Sequence, residues 1–201
     1  MITIVDCGIN NLRSVQKAFE HLGFDTHVTR DPADVLAAEK LVLPGVGAFG
    51  AAMKSLRDAG LVEPLLESIA AGKPFLGICL ALQLLFESSE ELGRHAGLAV
   101  LPGAAVRLPD APDLKIPHMG WSALHLPRAT RLFKDVPEGS MVYFVHSYHV
   151  VPADPSVTAA TSCHGIEFVA AVEHENVMAM QFHPEKSSGV GLKLLDNFAR
   201  L

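Results

Sequence analysis

Pro74-Phe75-Leu76-Gly77-Ile78-Cys79-Leu80-Ala81-Leu82-Gln83-Leu84-Leu85-Phe86 is the stretch whose reading decides the fold. PFLGIC is a short apolar run, as in a buried strand, and it passes without a linker into LALQLLFESSEE (80–91), read as a helix. A sharp strand-to-helix turn lifts its middle side chain out of the sheet and leaves backbone N–H groups free beside it. Cys79 stands at that turn. The N-terminus of the following helix favours negative charge and so raises the thiolate fraction of a cysteine there. A small buried hydrophobe is the other common fate of a free cysteine, and this segment alone leaves both readings open. Cys7 and Cys163 lack the strand-turn-helix context and read as structural.

On the N-terminal side the same rhythm repeats. ITIVD (2–6) precedes a helical pattern from Leu12 to Leu22, a short run spans His27 to Thr29, and KLVLP (40–44) is followed by helical stretches from Ala48 and from Leu61. Strands alternating with helices imply a parallel sheet covered on both faces. The predicted fold is therefore α/β, a doubly wound, mixed but mostly parallel sheet flanked by helices. After Gly97 the pattern changes to VLPGAAVRL (100–108), MVYFVH (141–146), VTAATSC (157–163), EFVAAVEH (167–174) and NVMAMQFH (176–183), punctuated by proline and glycine. These predict an added, mostly antiparallel portion. From Ser187, Leu192, Leu195 and Phe198 fall at helical spacing behind a capping-type serine. No repeat, low-complexity tract or linker interrupts the chain, so residues 1–201 are expected to form a single domain.

The composition narrows the function classes. Sixteen Lys and Arg against 22 Asp and Glu leave a net charge of -6, with no basic tract to neutralise a phosphate backbone, which argues against nucleic acid. MITIVDCGIN has no basic flank and too short an apolar run for a signal peptide. No stretch approaches the roughly 18 apolar residues of a membrane span. Three widely spaced cysteines make neither a disulfide framework nor a metal knuckle, and they fit a reduced, cytoplasmic setting. With 49% apolar and only 19% charged residues, little polar surface remains, which hints at a buried partner face.

A thiolate that attacks an amide needs a proton donor for the leaving amine and a group to orient that donor. Of ten histidines, only His183 ends an apolar strand with a carboxylate two residues on, in Gln181-Phe182-His183-Pro184-Glu185. Pro184 restricts the backbone so that Glu185 can reach back to the imidazole. Taken alone, such a pair at a strand end is more often a pair of solvated loop residues. Leu43-Pro44-Gly45-Val46-Gly47 runs from a buried strand into glycines that can turn N–H groups toward a ligand. Val46 and Gly47, with the N–H of Leu80, are candidates for an oxyanion site, although a tight turn would use the same residues.

Together these segments resemble the class I, or triad, glutamine amidotransferases, whose sequences carry a GxCxG elbow and a late HPE. The finer resemblance rests on DCGINNLRSV (6–15), LPGVGAF (43–49), GICLALQLLFESSEE (77–91), IPHMGW (116–121), YFVHSY (143–148) and QFHPEKSS (181–188). It runs nearly end to end and points to the glutaminase subunits that serve histidine biosynthesis. The resemblance implies a flavodoxin-like fold, glutamine as substrate, and ammonia passed to a cyclase subunit, a β/α barrel, in a heterodimer. It implies Cys79 as nucleophile, His183 as acid and base, and Glu185 as its orienting partner. Gln83, Glu91, His146, Ser147 and Tyr148 fall where the family contacts the amino-acid end of glutamine.

Pro117, Met119 and Trp121 are expected at the partner interface, because this proline- and glycine-broken segment reads poorly as a core strand, with Asn11 and Lys186 at the rim. Two positions depart from the family pattern: Ala81 replaces the second elbow glycine, and Asn10 stands where a glycine usually precedes the asparagine. No cofactor is expected, since no GxGxxG loop follows the first strand and the histidines lack metal-ligand spacing. Two other readings share these residues, an ammonia-donating glutaminase of another synthase, such as that of pyridoxal phosphate synthesis, and a non-catalytic binding module on the same fold.

Overall fold

A computed structural model describes residues 1–8, 12–110 and 114–201. The first half runs β1 (Ile2–Val5), α1 (Leu12–His21), β2 (Thr26–Thr29), α2 (Pro32–Ala37), β3 (Leu41–Gly45), α3 (Phe49–Asp58), α4 (Val62–Ala70), β4 (Phe75–Cys79) and α5 (Leu80–Leu84). Then come β5 (Phe86–Ser89), β6 (His95–Ala96), β7 (Leu101–Arg107), β8 (His118–Ala123), β9 (Met141–His146) and β10 (Tyr148–Pro152). β11 (Thr158–His164), β12 (Ile166–His174), β13 (Val177–Met180) and α6 (Ser188–Ala199) complete the chain.

The main sheet has seven strands in the order β11-β12-β13-β4-β3-β1-β2. From β13 to β2 every pairing is parallel, whereas β12 and β11 add antiparallel strands at one end. The expected mixed, mostly parallel sheet is found. Two late strands depart from the expected antiparallel portion, because β13 pairs parallel to β4, from Val177 opposite Phe75 to Met180 opposite Ile78, and β7 pairs parallel to β5.

Alternation along the central strands explains the two layers of helices. Leu41, Leu43 and Phe75 face α2, α3 and α4, where Val35, Phe49, Met53 and Leu65 are fully buried. Val42, Leu76 and Ile78 face α1 and α6, where Phe19, Leu194, Leu195 and Phe198 close the other side. Every residue of β1, β3, β4 and β13 is buried, and each large apolar side chain withdrawn from water stabilises by about 1.5–3 kcal/mol. β10-β7-β5-β6 form a second sheet and β8-β9 a two-stranded ribbon. Among the described residues, no helix is long and apolar enough to cross a membrane.

Four local details emerge only in the structure. The helix after Cys79 was expected to run through LALQLLFESSEE, but α5 ends at Leu84 and the chain enters β5. Ser88 and Ser89 favour helix weakly, and β5 gains partners on both sides, β7 and β6. Ser187 does not cap α6 through its side chain; its hydroxyl accepts from the Tyr143 N–H at 3.0 Å and donates to the His183 carbonyl at 2.7 Å. It thereby ties β9 to the turn that carries His183. The segment around 116–121, read as a poor core strand, enters the β8 arm of the ribbon, a strand outside the core with His118 buried and Met119 and Trp121 exposed. Helix α2 was not anticipated, although Asp31 accepting from the Ala33 N–H at 2.8 Å, ahead of Pro32 at the first helical position, is a legible start signal.

Candidate active site

Cys79 closes β4 with φ 57° and ψ -109°, a backbone conformation that costs a residue with a side chain about 1–3 kcal/mol. The sheet holds it there, since Gly45 of β3 pairs with Cys79 and Met180 of β13 with Ile78. α5 starts at once and lies directly on the strands, which requires glycine beneath it. A Cβ on Gly77 would stand 3.0 Å from the Ala179 methyl and 3.3 Å from the Ala81 carbonyl carbon. One on Gly45 would stand 3.0 Å from Leu80 Cβ and 3.1 Å from the Ala81 nitrogen. The buried methyl of Ala81 is thus carried in an elbow whose clearance comes from the strands. Gly77→Ala is expected to lower stability by about 1–3 kcal/mol through overpacking, read as a lower urea midpoint, whereas Ala81→Gly keeps glutamine hydrolysis. An unchanged midpoint in Gly77→Ala would mean that α5 shifts freely.

His183 follows β13, anchored by its N–H to the Tyr143 carbonyl at 2.9 Å. Its Nδ1 donates to Glu185 Oε1 at 2.9 Å, and both side chains are almost wholly buried. Burial alone pulls the imidazole pKa down, but the Cys79 sulfur and the Glu185 carboxylate outweigh it and push it up to about 10. Nδ1 being engaged, Nε2 is the ring nitrogen left for proton transfer. The structure thus brings Cys79, His183 and Glu185 into one electrostatic unit.

Cys79 and His183 open on a cavity of about 280 Å³. Val46 and Gly47, in the loop after β3, and Leu80 line it beside Cys79, with Gly47 at φ 90°. Gln83, Glu91, His146, Ser147 and Tyr148 line it too, so all five residues expected at the amino-acid end of glutamine converge there. Glu91 sits beyond β5, not on a helix face, and its Oε2 accepts the Phe49 N–H at the start of α3 at 2.6 Å. Cys7 is buried, with its thiol 3.9 Å from the Pro44 carbonyl, and Cys163 is exposed on β11; neither lines the cavity.

Two participants escaped the sequence reading. The Gln181 amide stands 3.8 Å from the Cys79 sulfur and accepts from Gln83 Nε2 at 3.0 Å. His118 lies behind His146, with His118 Nδ1 3.1 Å from His146 Nε2. The tautomers follow from one obligate acceptor: His146 Nδ1 donates to the Tyr148 carbonyl at 2.9 Å, so its Nε2 accepts from His118, whose Nε2 in turn accepts from the Ser122 hydroxyl at 3.0 Å. The signal for Gln181 lay inside the QFHPE motif; nothing local marked His118.

Burial holds His118 at about 4 and His146 at about 3, aided by neighbouring imidazoles. Both are bases whose folded values lie below the ordinary 6.5, so the unfolded chain binds more protons in the window between. Their contribution to stability is complete above about pH 6.5 and is lost as pH falls toward 4 and then 3. The urea midpoint is expected to drop between pH 7 and pH 5, and to drop less in His118→Gln; an equal drop in the variant would remove His118 from the cause.

Met119 and Trp121 project from the ribbon at 63% and 47% exposure, which excludes Trp121 from the core. Trp121 meets Tyr143 edge-on with centroids 6.0 Å apart, and Lys186 Nζ lies 6.0 Å from the same ring, so Trp121, Tyr143 and Lys186 form one patch. Pro117, placed by sequence with that group, lines the cavity. Asn10 and Asn11 lie outside the described residues. Among the described residues no group of three or more His, Cys, Asp or Glu side chains is arranged to hold a metal ion.

The chain belongs to the class-I glutamine amidotransferase family, which matches residues 3–200. Within that class it is 55% identical, over 98% of both chains, to imidazole glycerol phosphate synthase subunit HisH of Syntrophotalea carbinolica. It is 52% identical to HisH of Geobacter sulfurreducens, over 100% of this chain and 98% of that one. Among solved structures, PurLQS from Thermotoga maritima superposes with a TM-score of 0.76 at 18% identity, covering 99% of this chain and 97% of that one, a likeness of fold.

Proposed function

We propose that this chain is the glutaminase subunit of imidazole glycerol phosphate synthase. It hydrolyses glutamine to glutamate and ammonia, and in a heterodimer it passes the ammonia to a β/α-barrel cyclase that makes imidazole glycerol phosphate and AICAR in histidine biosynthesis. The observation that carries this reading is the 55% identity to HisH over nearly the whole of both chains.

The cavity supports a mechanism. The Cys79 thiolate attacks the side-chain carbonyl carbon of glutamine, and the carbonyl π electrons move onto oxygen, next to the N–H groups of Leu80 and the Val46–Gly47 loop. The carbon–nitrogen bond breaks as His183 Nε2 gives its proton to the leaving amine, releasing ammonia and a glutamyl thioester. Water then attacks the thioester, losing a proton to His183, and the carbon–sulfur bond breaks to release glutamate. Glu185 holds the ring throughout. Glu91 pairs with the substrate ammonium group and Ser147 with its carboxylate, so that bound glutamine presents its amide to Cys79. Amide hydrolysis by this route calls for no cofactor. The free thiols fit a reducing compartment, and the reading assigns the enzyme to the cytoplasm.

A glutaminase feeding a different synthase would use the same three residues. Glutamine turnover measured with a histidine-pathway cyclase and, separately, with a pyridoxal phosphate synthase separates them: stimulation is expected only by the cyclase, and stimulation only by the other partner would overturn the assignment.

A further inference from the structure

We infer that Gln181, locked by Gln83, is the positioning residue that holds the Cys79 thiolate. The inference rests on Cys79 being the nucleophile. Gln181 is completely buried at the end of β13, next to the turn that carries His183, and its backbone N–H is fixed to the Ala170 carbonyl at 2.8 Å. A buried amide side chain has to satisfy both its ends, and here the wiring leaves one arrangement.

The Tyr148 backbone carbonyl can only accept. It takes one hydrogen from His146 Nδ1 and another from Gln83 Nε2 at 3.1 Å, so Gln83 presents its NH₂ group inward. The second hydrogen of that group goes to Gln181 Oε1 at 3.0 Å. Gln181 is thereby turned with its own NH₂ toward Cys79, and its nitrogen stands 3.8 Å from the sulfur. Orientation passes from a carbonyl that cannot donate, through two amides, to the reacting atom.

An N–H aimed at sulfur favours the anion over the thiol, since a hydrogen bond to the charged form stabilises that form. It also restrains the side chain on the strained elbow, so that the sulfur faces the cavity. As the thioester forms, sulfur surrenders its charge and the contact weakens; the donation therefore acts on the resting nucleophile. Gln83 differs from a simple substrate contact in this arrangement, because both hydrogens of its NH₂ group are committed to protein acceptors.

The test reads the thiol directly and needs neither glutamine nor a cyclase. In a Cys7→Ser/Cys163→Ser background, where Cys79 is the sole thiol, iodoacetamide alkylation is followed against pH for the parent, Gln181→Met and Gln83→Met. Gln181→Met keeps length and apolar volume but donates nothing to sulfur. Its alkylation midpoint is expected to move to higher pH by about fivefold in the thiol's ionisation constant, the factor for a net contribution near 1 kcal/mol. Gln83→Met is expected to shift the midpoint the same way by less, because Gln181 keeps its donor but loses its lock. Circular dichroism and the urea midpoint establish that each variant is folded; should Gln181→Met fail to fold, Gln83→Met and Gln181→Glu, whose carboxylate faces the sulfur and moves the midpoint further up, carry the test. An unmoved midpoint in the folded variants would overturn the positioning role. Failure of Cys79 to alkylate in the parent would instead overturn the nucleophile assignment.

Discussion

Cys79→Ser is expected to abolish glutamine hydrolysis, with a loss on the order of 10⁴-fold or more, as for removal of the nucleophile in other triads. Serine retains size and hydrogen bonding, but its hydroxyl is far less acidic than a thiol, and the surroundings that suit a thiolate do little for it. A glutamine-like diazo-ketone is expected to label Cys79 and stop turnover in the parent. Cys7→Ser and Cys163→Ser are expected to stay within a few fold of it, because neither thiol lines the cavity. His183→Asn is expected to cost more than Glu185→Gln, since in the proposed mechanism the imidazole transfers the proton and the carboxylate orients it through the 2.9 Å contact. Labelling at another cysteine with activity lost, or parental turnover in His183→Asn, would sink the triad.

The isolated chain is expected to be a poor glutaminase whose turnover rises on the order of a hundred to a thousandfold when the cyclase and its nucleotide are bound, the worth of one oxyanion donor. The chemical need is plain, since ammonia released into neutral water becomes ammonium and loses its nucleophilicity. The structural means lies in Gly45-Val46-Gly47, where Gly47 at φ 90° allows the peptide more than one orientation. The expected docking surface is the ribbon, where Lys186 of the following turn packs beside Trp121 and Tyr143, and Ser187 bonds the Tyr143 N–H to the His183 carbonyl. Pressure on β9 therefore has a two-bond path to the turn that carries the base. Tryptophan at the centre of an interface contributes heavily to affinity. Trp121→Ala, exposed in the free chain, is expected to fold normally and to lose most of the stimulation, measured as turnover of each protein alone and with the liganded cyclase. Full activity of the lone chain would exclude the coupling. Undiminished stimulation of Trp121→Ala would move the docking surface elsewhere.

Much of this was legible in sequence because it is local. A continuous apolar run that turns into a helix at Cys79, the carboxylate two residues after His183 across a proline, and the alternation of strands and helices in the first half each depend on residues close in the chain. Period and turn chemistry carry such information, and they gave the fold class and marked the elbow and the His183–Glu185 pair as candidates before any contact was known. What remained hidden depends on contacts distant in sequence. That β13 joins β4 in parallel, that LALQLLFESSEE breaks into α5 and β5, and that Ser187 serves Tyr143 and not α6 are decided by the sheet partners available, against local propensity. Gln181 and His118 are amide and imidazole groups of no local distinction. Only tertiary structure, by bringing Gln83 of α5 and His146 of β9 to one backbone carbonyl at Tyr148, determines which way their hydrogens point, because a buried polar group takes its role from the partners that satisfy it.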